Sequence, residues 1–463
     1  MVRSTPKRDS EAGSLCANLM RWAINQLPQP LQYLFARIQR LWIRWILLGI
    51  CAFAVLLWNT TETWTQWRWV QAVHHAVTRA PLPQAQVFSV ALAYLEGDDN
   101  DDYREALSDA LGDIPGIHRL KFDRRTQVTD AANADLAQAQ ASKQAKEWLH
   151  ESGAHVLIWG QVMRVAGGDH LRLHFVAKDA PNTSSLRLSG DQAIELPAVA
   201  LGQLGAVVRA QVLAQIAPLA MDGNVQAKQL QHQLTVVTPV VQDWADPATR
   251  ASLSLSLSDS WRIVGEMLGD RDALIQALDL ARQALADTPR ASAPLDWARA
   301  QGTLGSALRV LGEHLDDEVL LRDSVAAYKA ALQEYTQARM PQGWAAAQNN
   351  LGIVLQFLGE RLGNEALLRE AVAAYKAALQ ERSRESAPQK WAMTQNNLGV
   401  ALATLGEQLG DEALLREAVE AFRAALLEYT RERVPQDWAM TERNLAAVLT
   451  RLEESSDSEP TPP

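Results

Sequence analysis

Apolar positions along this chain fall into three patterns. From Leu41 to Trp58 they are nearly continuous: Leu-Trp-Ile-Arg-Trp-Ile-Leu-Leu-Gly-Ile-Cys-Ala-Phe-Ala-Val-Leu-Leu-Trp. From Val87 to Leu219 short apolar runs alternate with polar helical stretches. From Arg250 onward apolar residues recur at helical spacing, and the pattern repeats. Each predicts different elements.

The first pattern predicts a membrane span. As a helix, residues 41–58 would reach roughly 27 Å, close to the hydrocarbon thickness of a bilayer. Arg44 lies one turn inside and can snorkel outward. Trp42 and Trp45 mark one interface, and Trp58, Trp64, Trp67 and Trp69 the other. Arg3, Lys7, Arg8, Arg21, Arg37 and Arg40 precede the run, against Arg68 and Arg79 just after it. The positive-inside rule therefore predicts a single-pass inner-membrane protein. A cytoplasmic segment 1–40 would precede the span, and a juxtamembrane linker 59–83 would follow it. The bulk would lie in the periplasm, with the lipid bilayer a partner through residues 41–58.

The second pattern predicts an α/β domain over 84–220. Strands are expected at 87–95, 117–122, 156–163, 171–176 and 185–188. Helices are expected at 103–111, 131–151 and 196–219. Gly167-Gly168-Asp169 supplies the hairpin turn. The cluster Asp98 to Asp102 lacks the glycine and distal Glu of a calcium loop and reads as a helix amino-terminal cap. His170 and His174 share one strand face, but no third ligand is placed by spacing, so no metal site is expected. They read as solvated hairpin positions. The order β-α-β-α-β-β gives a small sandwich. A polar, Gln-rich connector, 221–249, follows.

The third pattern has a period of 47 residues. Trp297, Trp344, Trp391 and Trp438 each open a copy with Trp-Ala. Gln348-Asn349-Asn350-Leu351-Gly352 returns as Gln395-Asn396-Asn397-Leu398-Gly399, and Ala366–Val372 returns as Ala413–Val419. Leu268-Gly269-Asp270 extends the register backward. The array is thus 250–452: units 250–296, 297–343, 344–390 and 391–437, a half unit 438–452, then a polar tail 453–463. Each unit predicts two helices, the first ending before Gly406 to Asp411 and the second before Pro435 in the best-preserved copy. Such periodicity marks a stacked solenoid in which each unit buries its apolar face against the next. The four Trp markers read as packing between units. Arg322, Arg369 and Arg416, with Asp323, Glu370 and Glu417, read as a solvated charged face.

Two resemblances follow. Leu398-Gly399, Ala418-x-x-x-Phe422-x-x-Ala425 and Pro435 resemble the tetratricopeptide repeat. The standard unit has about 34 residues. About seven extra residues fall between Gly399 and Ala418, and about five between Ala425 and Pro435. The resemblance implies that the first helices line a concave face and that an Asn just before the conserved Leu contacts a bound peptide. Those positions are Asn350, Asn397 and Asn444, with Thr303 in the first full copy and Asn349 and Asn396 beside them. An amide both donates and accepts, so such a row can clamp an extended backbone. The same amides can equally hydrogen-bond a neighbouring helix and set the stacking angle. Ile114-Pro115-Gly116-Ile117 and Ala154 to Val162 are similar to the TolB amino-terminal-type domain, which implies a non-catalytic recognition module.

Composition narrows the class further. A net charge of −10 argues against a general nucleic-acid binder. Two cysteines, Cys16 and Cys51, exclude a disulfide framework downstream of them. No phosphate loop, nucleophile elbow or zinc-protease motif occurs, so no cofactor and no enzymatic activity are expected. The expected fold is therefore multidomain: one transmembrane helix, a small α/β sandwich domain and a carboxy-terminal all-α tetratricopeptide-like solenoid. The expected function is a membrane-anchored scaffold that grips a peptide or partner protein in the groove of its repeats. The alternative is a sensor in which the α/β domain binds a small ligand and the repeats relay its state.

Overall fold

Alternation along Phe88–Glu96 (β1) decides the architecture of the first part. Phe88, Val90 and Leu92 are buried on one face and Ala91 and Ala93 on the other, so this strand must be covered on both sides. The computed structural model describes residues 87–457, except 113, 126–133, 166–167, 179–192 and 221–222. All of these belong to one unit, Ala85–Pro463.

After β1 come Asp102–Leu111 (α1), Ile117–Arg125 (β2), Ala134–Ser152 (α2), Val156–Val165 (β3), Gly168–Ala177 (β4), Ala193–Pro197 (β5) and Leu201–Ile216 (α3). The sheet order is β2-β1-β3-β4-β5. β1 runs parallel to β2 and β3, while β3, β4 and β5 are antiparallel neighbours. On one face α2 lays Ala141, Ala145, Trp148 and Leu149 on the small side chains of β1. The other face packs on α1 and α3. Asp98, itself buried, accepts from the backbone N–H groups of Tyr103 and Arg104 at 3.1 and 3.0 Å. The acidic cluster therefore caps α1, as its composition predicts. The last strand falls at 193–197, where residues from Leu196 were expected to be helical. The expected strand 185–188 lies outside the described residues. His174 is buried and stacked on the Trp159 ring at 4.2 Å, which corrects its reading as a solvated position.

The stretch 221–249 is helical over Asn224–Gln242 (α4). Its Leu230, Leu234, Val237 and Val241 enter the same core as the sheet and the first array helices. Its polar composition reflects one exposed face, not a lack of structure.

The array then proceeds as pairs: Pro247–Leu268 (α5) with Arg271–Ala286 (α6), Pro294–Leu315 (α7) with Glu318–Ala331 (α8), Pro341–Leu362 (α9) with Glu365–Ala378 (α10), and Pro388–Leu409 (α11) with Glu412–Leu426 (α12). Pro435–Asp457 (α13) is the last described helix. Every first helix opens on a proline, and those prolines stand 47 apart. Proline suits this position because its fixed φ matches the helix and its missing N–H has no partner to lose. Gly269, Asp316, Gly363 and Gly410 adopt left-handed φ between 55° and 64° and end the first helices. Asp270, Asp317, Asn364 and Asp411 follow, and each side chain accepts from two N–H groups of the second helix.

The membrane expectation needs correction. The first helices span roughly 33 Å, but each carries charge within it; α7 alone holds Asp296, Arg299, Arg309 and Glu313. Among the described residues no helix is long and apolar enough to cross a membrane. The fold of the described residues is a small α/β domain joined to a helical repeat array, with no membrane span among them. The single-pass inner-membrane localisation falls with it. Residues 41–58, with 1–40 and 59–83, lie outside the described residues.

Candidate functional site

Within each pair, the first helix is squeezed between its own second helix and the neighbouring units. On α11, Leu398, Ala401, Leu402 and Leu405 are buried, and Gly399 faces the ring of Phe422 on α12. Among the residues left half-buried or exposed on the first helices, a second stripe runs along one side. It comprises Asn350, Ile353, Phe357 and Glu360 on α9, and Asn397, Val400, Thr404 and Glu407 on α11. These lie three or four residues apart, on one helical face. Thr404 Oγ1 reaches Glu360 Oε1 at 3.3 Å, so the stripes of neighbouring units adjoin. Asn444 is half-buried at the same register of α13, and Thr303 is buried on α7.

The paired amides separate into two environments. Asn349 is fully buried and Asn396 nearly so, whereas Asn350 and Asn397 are half-buried. Each buried amide meets a threonine from the next unit. The Thr394 hydroxyl lies 3.1 Å from Asn349 Oδ1, and the Thr441 hydroxyl 3.0 Å from Asn396 Oδ1. Each hydroxyl also lies 2.8 Å from the carbonyl four residues earlier in its own helix. One unit earlier, Gly302 and Ala347 occupy the corresponding positions. Nothing in the residues next to Thr394 or Thr441 marks either as the partner of an amide one unit away. Their signal is a Thr 45 residues beyond each Asn, absent where Gly302 replaces the Asn.

Arg382 Nη1 donates to Thr394 Oγ1 at 2.8 Å, and Asn349 Nδ2 donates to Asn350 Oδ1 at 3.3 Å. A buried cation is thus linked through Thr394 and Asn349 to the half-buried amide of Asn350. Such chains polarise one another, which favours Asn350 presenting its N–H donors outward. Burial lowers the Arg382 guanidinium to about 10. The flanking units have Tyr335 and Tyr429 at this register; burial pushes the Tyr335 phenol up to about 12.

Charge grades along the first helices. Arg262 pairs with Glu266 and Arg309 with Glu313, the latter at 2.7 Å. Burial opposes the Arg309 charge, but Glu313 outweighs it and holds the group above its ordinary value. One unit later Gln356 meets Glu360 at 2.9 Å, and in the next Ala403 stands before Glu407. The carboxylates persist while their cations are lost, so this end of the face is acidic. On the second helices, Arg322, Arg369 and Arg416 pair with Glu318, Glu365 and Glu412 one turn earlier. Glu370 and Glu417 meet Lys329 and Lys376 of the preceding unit. These exposed pairs contribute little individually.

The four Trp markers are all half-buried near the starts of their helices. Trp391 and Trp438 pack against Ala392, Ala425, Tyr429 and Val434. Among the described residues no group of three His, Cys, Asp or Glu side chains is placed to hold a metal ion.

Residues 344–385 and 391–427 match the tetratricopeptide-repeat family model. Together with the helical pairs, the match supports a tetratricopeptide-repeat protein. No curated protein matches the chain. Among solved structures the chain is similar to BtubC (BKLC) from P. vanneervenii, at 17% identity, covering 50% of this chain and 87% of that chain, with a TM-score of 0.34. A likeness this loose carries no argument about shape or function.

Proposed function

We propose that the chain is a non-enzymatic scaffold that holds an extended peptide of a partner protein along the first helices of its repeats. Repeat arrays of this type commonly bind proteins. One observation carries the site: Asn350 and Asn397 remain half-buried on one adjoining stripe, while Asn349 and Asn396 are occupied between units. The outer amides supply donors and acceptors for a peptide backbone, with Ile353, Phe357 and Val400 as apolar contacts. Asn444 extends the row at its end, and Thr303 is the corresponding residue at its start. Glu360 and Glu407 favour a basic side chain at the carboxy-terminal end of the face. The likeness of the α/β domain to the TolB amino-terminal type supports a recognition role for that part too.

The test is selection of peptides from a random display library on the full chain. Enriched peptides should carry Lys or Arg, and Asn350→Ala/Asn397→Ala should lose them by about tenfold or more, roughly 1.4 kcal/mol, with an unchanged melting temperature. Retention of the same peptides by the double variant would remove this groove as the site.

A further inference from the structure

Glutamates stand 47 residues apart at 266, 313, 360, 407 and 454, near the carboxy-terminal ends of α5, α7, α9, α11 and α13. A carboxylate there faces the negative end of the helix dipole and gains from a nearby cation. Three of the five have one from their own helix. Arg262 pairs with Glu266, Arg309 donates to both oxygens of Glu313 at 2.8 and 2.7 Å, and Arg451 lies 3.2 Å from Glu454. The register that holds Arg262 and Arg309 holds Gln356 and Ala403 in the next two units. Glu360 accepts from neutral groups instead, Gln356 Nε2 at 2.9 Å and Thr404 Oγ1 at 3.3 Å. Glu266 and Glu313 are half-buried, whereas Glu360 and Glu407 are exposed. Thr404 touches Glu360 and lies one turn before Glu407, so both carboxylates flank one spot. Phe357 and Val400, each one turn further back, are half-buried beside it.

We propose that this spot takes an arginine side chain of the bound peptide. Its guanidinium lies between Glu360 and Glu407, in the role that Arg262 and Arg309 play in the earlier units, and its methylene stem lies against Phe357 and Val400. The inference rests on the peptide-groove reading and narrows the occupant to segments that carry arginine at this point. The chain itself supplies the template: at the same register its own guanidinium already holds the equivalent carboxylate. Arginine is favoured over lysine because a planar fork of five N–H donors serves two carboxylates at once and stacks on an aromatic ring.

The probes are peptides enriched from a random display library on the full chain, resynthesised with each arginine changed to lysine or to citrulline, its neutral counterpart. Fluorescence anisotropy should show the citrulline form binding about tenfold or more weakly, with the lysine form between. The gap should shrink as salt is added, because both carboxylates are exposed. Glu360→Gln/Glu407→Gln should abolish the preference for arginine over citrulline with an unchanged melting temperature. Ala403→Arg places a guanidinium one turn before Glu407, as Arg309 stands before Glu313. It should weaken the arginine form about tenfold and the citrulline form little. Glu365→Gln, which removes a carboxylate paired with Arg369 on α10, should leave the preference intact. Equal binding of the arginine and citrulline forms would overturn the proposal. So would a preference that survives Glu360→Gln/Glu407→Gln or Ala403→Arg, or one lost equally in Glu365→Gln. If such peptides still depended on Asn350 and Asn397, the groove would stand and only the arginine slot would fall; enrichment of no peptide would end both.

Discussion

Replacing Gly399 by alanine sets a local preference against a packing constraint. Gly399 lies inside α11, where alanine is favoured over glycine by about 1 kcal/mol. A Cβ there would stand 2.7, 2.8 and 3.0 Å from Cε1, Cδ1 and Cζ of Phe422. The ring is 1% exposed and belongs to the same buried cluster as Leu398, Ala401, Leu402, Ala418 and Val419, so it can retreat only by displacing buried neighbours. Overpacking of this kind costs about 1–3 kcal/mol, so the expected net effect of Gly399→Ala is a loss of about 1 kcal/mol. Gly302 in α7 is the internal control. It is half-buried, and a Cβ there meets no heavy atom within 4 Å, so Gly302→Ala should gain about 1 kcal/mol. Urea unfolding followed by far-ultraviolet circular dichroism reads both, and the two midpoints should move in opposite directions. Phe422→Leu should cost less in the Gly399→Ala background than alone, with a coupling of about 1 kcal/mol. A Gly399→Ala midpoint at or above that of the wild type would refute the packing argument. The chain already contains the complementary case. Ala446 takes the glycine register on α13 and is exposed, so at that position the helix preference meets no opposing ring.

Two further substitutions probe the contacts between units. Arg382→Tyr installs the residue of the flanking units beside Thr394, as Tyr429 stands in the register beside Thr441. The fall of the buried guanidinium from its ordinary value to about 10 corresponds to a cost of about 3 kcal/mol at most, so the variant should be about 1–3 kcal/mol more stable at neutral pH. Between about pH 10 and the ordinary guanidinium value the folded state binds fewer protons than the unfolded one, so this cost is full below about pH 10 and recedes above it; a less stable variant at pH 7 would show that the arginine is better compensated than its burial implies. Asn349→Ala and Thr394→Ala should each lower stability by about 1 kcal/mol and be strongly non-additive in a double-mutant cycle. Full additivity would break the proposed link between units.

How much was legible in the sequence depended on the range of the forces involved. The 47-residue period, the helix pairs and the acidic cap of α1 follow from helical spacing and from side chains acting a few residues away. The opening prolines, the left-handed residues at 269, 316, 363 and 410 and the Asp/Asn caps are equally local, so the array could be read before any contact was known. The core position of α4, the late strand 193–197 and the stacking of His174 on Trp159 depend on partners distant in sequence. The row of asparagines shows the division most clearly. Sequence alone placed Asn349 beside Asn350, with either open to both a structural and a binding role. Tertiary packing gave the first to Thr394, 45 residues on, and left the second at the surface, because adjacent residues on a helix point about 100° apart and only one can face the next unit.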